Sequence, residues 1–117
     1  MEHLGNLQNG LDFVVNVMRL LKPGGVAAHT TEFNVASDDE TIAEGPNCIY
    51  RERDLRQLGR RLRRDRCGLE TLDFDCGAHA YDLAYDRPPY FQPGSVHIKL
   101  EVGGHICTSF LLIVRKA

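Results

Sequence analysis

The sequence predicts an α/β fold: one domain whose partial sheet ends in an antiparallel hairpin. Three observations carry that prediction. Apolar residues from Leu7 to Leu21 recur at helical spacing, and a Pro-Gly-Gly turn joins them to a strand-like run. Leu55, Leu58 and Leu62 repeat the helical spacing inside an arginine-rich stretch. Two strand-like runs near the C-terminus, SVHIKLEV and HICTSFLLIVRK, are separated by Gly103-Gly104, a tight-hairpin signal.

In chain order, LQNGLDFVVNVMRLL places Leu7, Leu11, Val14, Val15, Met18 and Leu21 on one face of an amphipathic helix. Pro23 stops it because proline has no backbone N–H for the next bond, and Gly24-Gly25 supplies the turn. Val26 to Val35 reads as a buried strand, the αβ half of a βαβ unit. ASDDETIAEGPN is a polar loop with a turn of helix near Glu40, and Cys48 to Tyr50 is a short extended piece. A second helix follows from Arg51. LETLDF alternates and reads as a strand over residues 69–74. Residues 75–94 hold Pro88, Pro89 and Pro93 and read as irregular, with DRPPYF as a lid or wall. The final run is almost continuously apolar, the pattern of a central strand covered on both faces.

Composition narrows the function classes. The 117-residue chain carries a formal net charge of -2, so its surface as a whole does not favour nucleic acid. Eight of its 14 basic residues lie between Arg51 and Arg66. Glu52, Asp54 and Asp65 interrupt them and no aromatic residue is interleaved for base stacking, so a solvated helix face is expected, not an RNA-binding surface. No apolar run approaches the ~20 residues of a membrane span, and MEHLGNLQNG does not read as a secretory signal. Cys48, Cys67, Cys76 and Cys107 form no CxxC pair; reduced thiols and a cytoplasmic setting are expected.

Two stretches carry a family resemblance. EHLGNLQNGLDFVVNVMRLLKPGG resembles the segment after strand four of class I S-adenosylmethionine-dependent methyltransferases: an EHL tag, an amphipathic helix, then LKPGG leading into strand five. HICTSFLLIVRKA resembles that family's strand seven, which inserts antiparallel between strands five and six, with LETLDF as strand six. The resemblance spans nearly all of residues 1–117 but only half of the family domain. It implies a partial Rossmann-like sheet, the C-terminal half of a methyltransferase domain, and methyl transfer from S-adenosylmethionine to oxygen or nitrogen of a small molecule or sugar. The Gly-rich loop and the ribose-holding acidic residue of the family are not in this sequence, so no cofactor-binding residue is assigned.

The resemblance also implies where substrate groups should come from. Matching positions after strand four are Glu2 and His3; within and after strand five they are His29, Thr30, Thr31, Glu32 and Asn34. His29 is the expected general base, because imidazole titrates near neutral pH, with Glu32 orienting it or binding a hydroxyl. Thr30, Thr31, Asn34 and, from the lid segment, Tyr90 are expected at the substrate. His29, Glu32, His79, Asp82, Asp86 and His97 are of metal-ligand type, but their scattered spacing predicts no metal site. The expected partners are a small-molecule substrate and a second copy or a missing N-terminal half, with neither nucleic acid nor membrane. A second class stays open: a non-enzymatic α/β module that self-associates through the exposed edge of the Val26–Val35 strand.

Overall fold

A computed structural model describes residues 1–117. The elements run β1 (Gly5–Asn6), α1 (Leu7–Leu20), β2 (Val26–Asn34), β3 (Glu44–Gly45), α2 (Glu52–Arg64), β4 (Cys67–Leu69), α3 (Ala80–Leu83), β5 (Lys99–Val102) and β6 (His105–Lys116). The chain is a mixed α/β fold with antiparallel sheets.

Both long helices form where the leucine and valine spacing puts them. The Asn6 side chain caps α1 by accepting from the Asn9 N–H at 2.8 Å. Leu11, Val14, Val15 and Met18 are its buried stripe. The helix stops before Pro23, and Gly24 turns the chain at φ 78°. At the start of α2, Asp54 accepts from both the backbone N–H and the guanidinium Nε of Arg51, each at 2.9 Å. Leu55, Leu58 and Leu62 are fully buried, and Arg61, Arg63 and Arg64 complement the helix dipole in the last turn.

The sheet is organised around β6. Along one edge β6 pairs antiparallel with β2, from Val26↔Arg115 to Asn34↔Cys107. On its other edge it pairs with β4 near its end, Cys67↔Lys116 to Leu69↔Val114, and with β5 near its start, Lys99↔Thr108 to Val102↔His105. The β5–β6 turn uses Gly103 and Gly104 at φ 56° and 82°, the left-handed pair a two-residue hairpin requires. Helices α1 and α2 cover one face, where Phe33, Leu112 and Val114 meet their leucines and valines in a single core.

Several expectations need correction. LETLDF is not a six-residue strand. Pairing ends at Leu69, after which a single backbone hydrogen bond reaches β6, from the Glu70 N–H to the Ile113 carbonyl. SVHIKLEV is strand only over Lys99–Val102. No helical turn forms near Glu40, and a short helix, α3, lies inside the segment read as irregular. The last strand is covered on both faces only near its start: Cys107 is 1% exposed, whereas Leu111, on the same face, is 57% exposed. All named strand pairs are antiparallel; parallel contact is limited to the isolated bridges Phe33↔Tyr50 and Asp86↔Leu100. No helix is long and apolar enough to cross a membrane.

Candidate functional site

The polar run of β2 is divided by the strand's own period of two. His29 and Thr31 point into the helix-covered face, whereas Thr30 and Glu32 point to the bare one. His29 packs edge-on to Phe13 of α1, ring centroids 5.7 Å apart. Its Nε2 and the Thr31 hydroxyl are buried without a hydrogen-bond partner. Burial, and then the nearby terminal ammonium, push the His29 imidazole below its ordinary pKa of 6.5. Glu32 lies beside Cys107 on the opposite face. Burial, with the Glu32 charge adding to it, pushes the Cys107 thiol up to about 12. The expected partnership of His29 as base and Glu32 as its orienting carboxylate therefore does not form: residues three apart on a strand face away from each other.

The other expected site residues occupy three separate places. Glu2 accepts from the Met1 ammonium at 2.7 Å, and that ammonium also reaches the Thr30 carbonyl at 2.9 Å, on the outer edge of β2. Burial alone would raise the Glu2 carboxyl; the bonded ammonium outweighs it and holds the group below its usual range. His3 places Nδ1 2.9 Å from the Pro46 carbonyl and Nε2 3.5 Å from Glu2. Asn34 is a loop anchor: its oxygen accepts from the Ala36 and Ser37 N–H groups, and its amide donates to Glu40 and Thr41. With its bonding capacity used, Asn34 has nothing left for a substrate, which corrects that expectation. Tyr90 donates to the Glu101 carbonyl at 2.6 Å, which puts it against β5, across β6 from His29.

Two arrangements were not anticipated from the sequence. In the first, Asp86 is buried and gathers the residues of the 86–97 loop. It accepts from His97 Nδ1 at 2.6 Å and from the Arg87 and Phe91 N–H groups at 2.9 Å. The His97 bond is the main cause that lowers the Asp86 carboxyl, and Phe91 stacks on the His97 ring at 3.7 Å. In the second, a hollow of about 230 Å³ opens where residues 73–82 pass β5 and β6. Phe33 and Phe110 form its apolar wall, Asp73, Asp75 and Asp82 supply carboxylates, and Lys99 enters from β5.

No group of three or more His, Cys, Asp or Glu residues converges in a way that could hold a metal ion. His79 and Asp82 cap α3, and Asp86 is engaged with His97. No protein-family model, curated protein or solved structure matches the chain.

Proposed function

We propose that residues 1–117 are the substrate-side half of a class I methyltransferase-like domain. In this reading the domain transfers a methyl group to oxygen or nitrogen of a small molecule or sugar. The observation that carries it is the position of β6, antiparallel between β2 and β4. That is the five-seven-six strand order the LKPGG and HICTSFLLIVRK resemblance implies. The free edge of β2 supports the same reading. Val26 and Ala28 turn their backbone groups away from β6, and no strand pairs with them.

The residues present do not fit S-adenosylmethionine. No glycine-rich loop offers a run of backbone N–H groups to the cofactor's methionine end. In this reading the cofactor-contacting half is supplied by residues outside 1–117. Calorimetry with S-adenosylhomocysteine tests this on two proteins, the chain itself and the chain with the coding sequence that precedes Met1. Binding to the longer protein alone supports the reading; binding to neither sinks it.

A second reading rests on a different observation. The sheet face opposite the helices presents Val26, 46% exposed, beside Ala28, Leu111 and Ile113. With the free β2 edge, this favours a non-enzymatic module that pairs with a second copy. Light scattering separates the two: a concentration-dependent dimer abolished by Ala28→Pro supports the module.

A further inference from the structure

Helix α2 carries arginines that the chain itself does not neutralise. Its ion pairs join Arg51 to Asp54, Arg53 to Asp38 and Asp39, Arg56 to Glu52, and Arg61 to Asp12. Arg60 and Arg63 take part in no ion pair and no side-chain hydrogen bond. With Arg56 they stand at steps of four and three along one helix face, a spacing at which like charges destabilise a helix. Between this face and residues 69–72 lies a groove of about 350 Å³. Leu55, Leu69 and Leu72 make its apolar wall, and the three arginines share its lining. Its one lining carboxylate, Glu70, is bonded to Arg115 Nε at 2.6 Å. With Arg56 held by Glu52, the charges of Arg60 and Arg63 are left over.

Gly59 also lines the groove, buried in the middle of α2. A β-carbon built on it would meet Leu69 Cδ2 at 3.5 Å and Arg63 Nη1 at 3.7 Å, both ordinary contacts. Packing therefore does not require a glycine here, although only proline is a poorer helix former. What the missing side chain leaves is space between the helix backbone, Leu69 and the Arg63 guanidinium. Thr71 and Leu72, on the facing segment, make no backbone hydrogen bond, so their N–H groups are free to donate.

We propose that this groove binds a phosphate monoester of a small organic ring. Two unpaired guanidinium groups match a dianion, which a phosphate monoester is near neutral pH. Their planar forks suit phosphate oxygens taken in pairs. A phosphodiester or a single carboxylate carries one charge and leaves the lining positive. The leucine wall takes the ring, and about 350 Å³ lies in the range of small-ligand pockets. The site is independent of the methyltransferase reading and holds for a catalytic or a non-catalytic chain.

The test is an amide-resolved NMR titration with AMP, cyclic AMP, adenosine and inorganic phosphate, near neutral pH and at about 150 mM salt, where loose surface attraction is screened. AMP is expected to shift the Gly59, Arg60, Arg63 and Thr71 amides at about tenfold lower concentration than any of the other three. Paired Arg60→Gln and Arg63→Gln substitutions, both on exposed side chains, are expected to abolish the AMP response while leaving the thermal midpoint unchanged or higher. Gly59→Ala is expected to raise the midpoint and to weaken AMP by about threefold, because it fills space the ligand uses. Silence of these amides toward AMP overturns the proposal. So does adenosine, phosphate or cyclic AMP binding as tightly as AMP, or an AMP response unchanged in the paired variant or in Gly59→Ala.

Discussion

The Tyr50 hydroxyl lies so close to Gly10 that a β-carbon built on the glycine would stand 1.8 Å from it. Tyr50 is fully buried, and its hydroxyl donates to the Leu7 carbonyl at 3.2 Å. A bare glycine backbone in the second turn of α1 is what lets this ring stand against the helix. Gly10→Ala is therefore expected to destabilise by about 1–3 kcal/mol, although alanine is the better helix former by about 1 kcal/mol. Urea denaturation checks this. Tyr50→Phe in the Gly10→Ala background should recover part of the loss, since it removes the closest clashing atom.

The half-buried imidazole of His29 gives stability a pH dependence. Its folded pKa lies below the ordinary 6.5, so the unfolded chain binds the proton more readily. The stabilising contribution is fully present above the ordinary imidazole value and is lost as pH falls from there through the folded value. Urea midpoints at about pH 7.5 and 5.5 should differ more for the parent chain than for His29→Gln. An identical drop in both would place the dependence elsewhere.

Thiol chemistry should single out one cysteine. Cys48, Cys67 and Cys107 are buried, and Cys107 is also pushed up to about 12, whereas Cys76 is partly exposed. Iodoacetamide on the folded protein is expected to label Cys76 first, with the other three protected until urea unfolds the chain. Peptide mapping by mass spectrometry reads the outcome, and early labelling of Cys107 would contradict the burial described here.

Removing the Asn34 anchor should loosen the segment that follows β2. Asn34→Ala withdraws partners from the Ala36 and Ser37 N–H groups and from the Glu40 carbonyl. The expected cost is about 1–3 kcal/mol. Hydrogen exchange at Ala36 and Ser37 should accelerate more than exchange at Leu112, which sits in the sheet core.

The helices and the closing hairpin were legible because their signals are local: apolar spacing in α1 and α2, and two glycines between strands. The misread of residues 70–74 has a physical origin. Leu72 and Phe74 alternate because they pack on the core, not because a neighbouring strand pairs with them. Lys99 was hidden by the reverse problem. In SVHIKLEV, alternation assigns Ile98 inside and Lys99 outside, yet Ile98 is 60% exposed and Lys99 is buried. The strand begins only at Lys99, so the alternation upstream of it carries no information about the sheet. Asp86 and His97 are eleven residues apart in a proline-rich loop, and no periodicity links such a pair.

Because β2, β4 and β5 all pair with β6 and with no other strand of that sheet, the sheet has a fixed place in the order of synthesis. A ribosome that has made residues 1–104 has produced three strands with no partner among them. The helices can collapse early, but the ladder waits for His105–Lys116. A frameshift or stop codon anywhere upstream of that segment therefore removes the whole sheet, not one strand of it. The newborn chain meets chaperones and proteases with the edge of β2 that β6 will cover still unprotected.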